Sequence, residues 1–335
     1  MSGSAPLAIS MGEPAGVGPD LVLQLYQERK QLNLPPFLVY GNIKFLAQRQ
    51  RRLRLDIKLA PGKPDNAAHI FAKSLPVFDF AASFSDQPGV PVPQAGKIVI
   101  EAIARATGDC LTGACRALVT APINKAALTN IGFSFPGHTE FLAHLCAGGG
   151  EEPIPVMMLA NDDLRVVPLT IHVPLARVPE LINTQMIVRK ARIVAADLTR
   201  RFAIKTPKIA ICGLNPHAGE NGTMGKEEHD IIKPAISLLK REGYDVAGPL
   251  PADTLFHLPY WRRYDVVLAM YHDQALIPIK TVAFDSAVNV TLGLPIVRTS
   301  PDHGTAFDLA GSSRASTKSM LAAIRMADNM TTPVE

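Results

Sequence analysis

Val267-Leu-Ala-Met-Tyr-His-Asp-Gln-Ala-Leu-Ile-Pro-Ile-Lys280 opens as an apolar, buried-looking strand, ends in His272 and Asp273, and is followed by a lysine. In open α/β sheets, polar groups at the carboxyl end of such a strand face a crevice rather than a core. The pattern occurs twice more: His172 follows Val166-Val-Pro-Leu-Thr-Ile171, and His217 follows Lys208-Ile-Ala-Ile-Cys-Gly-Leu-Asn-Pro216. One histidine at a strand end is ordinarily structural. Three at equivalent places point to one metal site, with Asp273 beside His272 and Asp253 in Pro251-Ala-Asp-Thr254 as acceptors behind the ligands. Three imidazoles with an open position suit a catalytic divalent ion such as Zn²⁺.

Outward from these stretches, short apolar runs alternate with helical patterns. Leu7–Met11, Phe37–Tyr40, Ala117–Thr120, Val166–Ile171, Lys208–Cys212 and Asp265–Met270 read as strands buried on both faces. Asp20–Lys30, Ile43–Arg54, Gly96–Thr107, Thr139–Cys146, Pro179–Phe202, Glu228–Glu242 and Ser316–Ala327 read as helices. The alternation predicts an α/β protein with crossover helices. A domain change falls near residues 130–155, and no internal repeat is present.

The 335 residues are 47% hydrophobic and 19% charged, enough for one large or two medium cores. With a net charge of +4, and no aromatics within Arg49-Gln-Arg-Arg-Leu-Arg54, that arginine run reads as the solvated face of a helix end, and no nucleic-acid partner is expected. Cys110, Cys115, Cys146 and Cys212 form no Cys-x-x-Cys pair and read as reduced packing residues. The start Met-Ser-Gly-Ser-Ala-Pro has no basic stretch leading into a long apolar segment, and no apolar run approaches the roughly 20 residues of a membrane span. A cytoplasmic location without membrane association is expected.

Gly12-Glu-Pro-Ala-Gly-Val-Gly18 lacks the third glycine of the dinucleotide fingerprint, since Leu21 stands there, and reads either as a structural strand-to-helix turn or as a ligand loop. The phosphate-loop pattern fails at Gly225-Lys226-Glu227, which disfavours ATP chemistry. Gly137-His138-Thr139-Glu140 serves equally as a helix cap or as an anion site on open first-turn amides. Asn215-Pro-His-Ala-Gly-Glu-Asn-Gly-Thr-Met-Gly-Lys-Glu-Glu228 is a polar, glycine-bearing loop of the kind that carries function. His69, His144, His229 and His257 are assigned surface or helix roles.

His303-Gly-Thr-Ala-Phe-Asp-Leu-Ala-Gly311 resembles the adenosine-binding loop of the isocitrate and isopropylmalate dehydrogenases, with Phe307 in place of the usual proline. Together with Gly12–Asp20, Gly137–Glu140, Asn215–Glu220, Pro251–Thr254 and Tyr271–Gln274, it makes the whole chain similar to the 4-hydroxythreonine-4-phosphate dehydrogenase family, which shares that fold. Ala275 departs from the family's common glycine. The resemblance implies two α/β domains with a cleft between them: residues 1–130 with 290–335 binding NAD, and 131–289 binding metal and substrate and dimerising.

The same resemblance implies a metal held by His172, His217 and His272, with ligands from both subunits of a homodimer. A small phosphorylated substrate would be held by His138, Thr139, Lys280, Asn289 and Arg298, and NAD by His303, Gly304, Thr305 and Asp308. Asp253, Asp273 and Lys280 are the candidate catalytic groups. The implied reaction is NAD-dependent oxidation and decarboxylation of 4-phosphooxy-L-threonine to 3-amino-2-oxopropyl phosphate in pyridoxal phosphate synthesis, with Zn²⁺, Mg²⁺ or Co²⁺ as the ion. The rival readings are a threonate or erythronate 4-phosphate dehydrogenase and, further off, a phosphate acyltransferase.

Overall fold

The structure, a computed structural model, describes residues 5–332. Up to residue 155 it lays down β1 (Leu7–Ser10), β2 (Phe37–Gly41), β3 (Leu59–Pro61), β4 (Leu75–Asp79) and β5 (Ala117–Thr120), with α1 (Gly18–Gln27), α2 (Ile43–Arg52), α3 (Ala67–Phe71), α4 (Pro93–Leu111), α5 (Lys125–Thr129) and α6 (His138–Ala147). Next come β6 (Val156–Ala160), β7 (Arg165–Pro168), β8 (Lys208–Cys212), β9 (Asp245–Leu250), β10 (Val266–Ala269) and β11 (Val288–Leu292), with α7 (Val178–Leu181), α8 (Thr184–Phe202), α9 (Lys233–Arg241), α10 (Ala252–Leu255) and α11 (His272–Ala283). β12 (Arg298–Pro301) and α12 (Lys318–Asn329) follow.

Residues 5–155 with 294–332 form one compact unit and residues 156–293 another. In the first, the strands are all parallel in the order β3-β4-β2-β1-β5-β12. Apolar runs without alternation fit this arrangement, because helices cover both faces of a parallel sheet. Residues 131–155 lie with this unit, since Phe141, Leu142 and Ala143 of α6 share a core with Val99, Ala102 and Ile103 of α4. In the second unit the order is β11-β6-β7-β10-β8-β9; β6 runs antiparallel to both neighbours, and β7, β10, β8 and β9 are mutually parallel. Its core gathers Leu159, Val166, Ala210, Trp261, Val267 and Ile279. Among the described residues no helix is long and apolar enough to cross a membrane.

Three readings need correction. The strand leading to His272 ends at Ala269, and His272 is the first residue of α11, a helix hidden because Ile277-Pro278-Ile279 reads as extended sequence. The helix expected over Pro179–Phe202 is broken: Asn183 is extended and its side chain accepts the Met186 N–H at 2.9 Å, starting α8 afresh. Arg49 is not solvated but fully buried; it pairs with Asp20 and, at 2.8 Å, with Asp86, and donates to the carbonyls of Pro14 at 2.7 Å and Gly16 at 3.1 Å. A buried guanidinium persists only when its donors are met in this way. Its neighbours Arg51, Arg52 and Arg54 are exposed, as expected.

Candidate active site

β10 lies between β7 and β8 in the second unit, so the loops bearing His172, His272 and His217 leave one edge of one sheet on neighbouring parallel strands. Parallel neighbours are about 4.8 Å apart, which sets the roots of the three segments side by side before any side chain is considered. Pairing continues past the strand ends: Leu169 donates to the Ala269 carbonyl at 2.8 Å, and the Thr170 hydroxyl donates to the Met270 carbonyl at 2.9 Å. The rings of His172 and His272 consequently lie 5.8 Å apart, centroid to centroid, beside a cavity of about 320 Å³ lined also by Val173, Leu175, Tyr271 and Asp273.

His272 Nδ1 lies 2.6 Å from Asp273 Oδ1. A proton shared along that bond sits on Nδ1 and leaves the Nε2 lone pair for a ligand, the usual arrangement behind a metal-binding imidazole. Gln274 secures the helix start, accepting the Met270 N–H at 2.6 Å and donating to the Gly213 carbonyl at 2.9 Å, which ties the His272 helix to the root of the His217 loop. Nothing local marks this role of Gln274, because its Gly213 partner lies 61 residues away in the chain.

His217 is exposed on a left-handed turn, with φ of 52°, 52°, 78°, 40° and 58° at His217, Ala218, Gly219, Glu220 and Asn221. Such geometry costs roughly 1–2 kcal/mol at each non-glycine residue and points to a constraint imposed from outside the turn. α10, bearing the exposed Asp253, packs beside it. Among the described residues no group of three His, Cys, Asp or Glu side chains is close enough to hold one ion, so the chain brings two of the three imidazoles together and leaves His217 apart. Lys280, on the second half of α11, lies over the Phe284 ring at 5.7 Å, and Asn289 is half-buried in β11.

The first unit gathers a cationic cluster. Arg298, the first residue of β12, is 3% exposed, and its Nη2 donates to the Thr120 hydroxyl at 2.7 Å; burial pushes its pKa down to about 10 and Glu140 opposes the shift, so it stays charged at neutral pH. His138 opens α6, and its Nε2 is buried without a hydrogen-bond partner. Burial first, then Arg298 and Lys125, hold its pKa well below the ordinary value, so the ring is neutral. A Cβ at Gly137 would come within 3.3 Å of Lys125 Nζ and 3.4 Å of Glu140 Oε2, which places both charges at the start of α6 beside Thr139. Two cations at the positive end of a ten-residue helix make an anion-binding arrangement. Thr120 and Lys125 were missed in the sequence because nothing local to them marks a site.

The other loops at the carboxyl edge of this sheet dock on each other. Val17 N–H donates to the Thr305 carbonyl at 3.0 Å, Gly311 N–H to Asp20 Oδ2 at 2.6 Å, and a Cβ at Gly16 would meet the Thr305 oxygen at 2.8 Å. Gly12–Gly18 is thus the bed on which 303–311 rests, and the buried Arg49–Asp20 pair fixes that bed. His303, Gly304 and Asp308 are exposed on the loop, with open space over Gly304 where a Cβ would stand. A hydrogen-bonding ligand can reach the Asp308 carboxylate.

Residues 33–327 match the family described as Pyridoxal phosphate biosynthetic protein PdxA. The chain is 50% identical over 332 residues to a 4-hydroxythreonine-4-phosphate dehydrogenase from Methylorubrum populi, covering 98% of this chain and 95% of the relative. The crystal structure of a 4-hydroxythreonine-4-phosphate dehydrogenase from Klebsiella pneumoniae superposes with a TM-score of 0.85 at 36% identity, over 98% of this chain and all of that one. A terephthalate 1,2-cis-dihydrodiol dehydrogenase from Burkholderia xenovorans follows at TM-score 0.65 and 27% identity, over 97% and 98%. Fold and sheet-edge loops define an α/β protein of the isocitrate/isopropylmalate dehydrogenase-like class. Within that class the chain belongs to the PdxA family of pyridoxal phosphate biosynthetic proteins.

Proposed function

We propose that the chain is an NAD-dependent, divalent-metal-dependent dehydrogenase that oxidises and decarboxylates 4-phosphooxy-L-threonine to 3-amino-2-oxopropyl phosphate. The observation that carries the reading is the His172–His272 pair, 5.8 Å apart at one sheet edge in a chain 50% identical to a 4-hydroxythreonine-4-phosphate dehydrogenase. The two imidazoles of this chain suit an ion of the Zn²⁺ or Co²⁺ type better than Mg²⁺, which takes oxygen ligands, with Asp273 holding the Nδ1 side of His272. A divalent ion bound there supplies Lewis-acid polarisation of a substrate oxygen, and NAD⁺ supplies the hydride acceptor.

The protein's own groups bind and orient. In the first unit, His138, Thr139, Arg298 and Lys125 present charge and donors to a phosphate or carboxylate. Lys280 and Asn289 do so in the second. Asp308 accepts from ribose hydroxyls, with His303, Gly304 and Thr305 shaping the loop. Asp273 is committed to His272, which leaves Asp253, beside the His217 turn, to take up a proton. Side-by-side measurement of NADH formation from 4-phosphooxy-L-threonine and from threonate and erythronate 4-phosphates tests the reading; faster turnover of a four-carbon sugar acid would replace it with that activity.

The enzyme acts as a homodimer that draws ligands from both subunits. Ile277, Val282 and Phe284, 46–77% exposed on and just after the His272 helix, together with Val173 and Leu175 beside His172, leave an apolar face of the kind a second copy covers. His217→Ala and His272→Ala proteins, each inactive, should on mixing recover roughly a quarter of the normal rate, since half the dimers are mixed and each holds one intact site. No recovery after verified subunit exchange would remove the shared site. A cytoplasmic location goes with this reading.

A further inference from the structure

One carboxylate shapes the turn that carries His217, and neither the proposed chemistry nor the anion-binding cluster uses it. Glu228 is 3% exposed and opens the π-helical turn Glu228–Ile232 that leads into α9. Its Oε1 accepts the backbone N–H groups of Leu214 and Asn215, both at 2.8 Å, and its Oε2 accepts Asn215 Nδ2 at 3.0 Å. A carboxylate has acceptor sites only, so it suits a hollow into which these donors converge.

The glycines of the segment are those this insertion requires. A Cβ at Gly219 would lie 2.5 Å from Glu228 Oε2, and one at Gly213 would lie 2.7 Å from Ala218 Cα and 3.1 Å from Glu228 Oε1. Gly219 also has φ of 78°, a region side-chain-bearing residues rarely adopt. The π turn itself is a winding that recurs at functional sites. Backbone before the turn, glycine within it and side chain after it therefore meet at one carboxylate. His217 and Asn221, at the ends of the left-handed run, are exposed, while Gly219 between them is buried against Glu228.

We propose that Glu228 is the positioning residue for His217, holding the left-handed turn so that the imidazole is presented in one place for an ion. The proposal rests on the reading of His217 as a metal ligand. Groups that fix a ligating imidazole typically change metal affinity by roughly 10–100-fold when altered. Glu228→Gln sets a donor against the Asn215 amide while keeping the volume, so the turn loosens without leaving a cavity.

The test is a double-mutant cycle on Zn²⁺ affinity of the full-length protein, read by competition with a chromophoric chelator and, for Co²⁺, by the absorption spectrum. Glu228→Gln should weaken Zn²⁺ by roughly 10–100-fold, and should add little once His217→Ala is present, because it acts through that imidazole. Additive losses, or unchanged affinity in a folded Glu228→Gln protein while His217→Ala weakens binding, would overturn the positioning role. Unchanged affinity in His217→Ala itself would instead overturn the ligand reading. Should Glu228→Gln not fold, Gly219→Ala disturbs the same contact from the turn side and enters the same cycle.

Discussion

The rings of His172 and His272 lie 5.8 Å apart just beyond adjacent parallel strands, and the Asp273 carboxylate lies 2.6 Å from Nδ1 of the second ring. If that carboxylate orients His272, Asp273→Asn should weaken Zn²⁺ binding by roughly 10–100-fold and lower turnover with little change in the Michaelis constant for NAD⁺. Isothermal titration with Zn²⁺ beside steady-state kinetics checks this. A rise confined to the NAD⁺ constant would place Asp273 in the cofactor site instead.

Asp308 stands exposed on the 303–311 loop, where, with the adenosine bound as proposed, its negative charge would favour the ribose hydroxyls and repel a 2′-phosphate. NAD⁺ should be used in preference to NADP⁺. Asp308→Ala should raise the Michaelis constant for NAD⁺ far more than it lowers turnover, because the contact is remote from the reacting carbon. Equal use of both nucleotides by the unaltered protein speaks against the assignment.

His138 gives a pH signature of stability. Its folded-state pKa is depressed by burial and by the neighbouring Arg298 and Lys125. Above the ordinary histidine value of about 6.5 the ring is neutral whether the chain is folded or not, and nothing changes. Below it the unfolded chain takes up a proton that the folded chain refuses, so stability is lost as pH falls, by up to about 1.4 kcal/mol at one pH unit below 6.5. Urea unfolding near pH 7.5 and pH 5.5 should show a drop in the natural protein that is reduced in His138→Gln. Identical drops in the two proteins would assign the effect to other groups.

Much of the architecture was readable because parallel strands are buried on both faces and announce themselves as apolar runs. The three histidines were legible as polar groups just past such runs, but only His172 and His272 come together, and His217 sits on a turn of its own. What stayed hidden depends on partners distant in sequence. Arg49 looked like one more solvated arginine until Asp20 and Asp86 closed on it from other segments. The Lys125–His138–Arg298 cluster joins α5, α6 and β12, and no local pattern signals it. α11 was obscured by its internal Pro278, and its start is held by Gln274 contacts with Met270 and Gly213 rather than by helix propensity. The Asn215–Glu228 loop was legible as polar and glycine-bearing, but its left-handed course and the return of Glu228 to the Leu214 and Asn215 amides were not.

The most direct measurement is NADH formation from 4-phosphooxy-L-threonine by protein stripped of metal, with elemental analysis at each step. The stripped protein should be inactive, and Zn²⁺, Co²⁺ or Mg²⁺ should restore at least part of the rate while binding in proportion to the activity recovered. Full activity after exhaustive chelation, with no metal detected, would contradict the account.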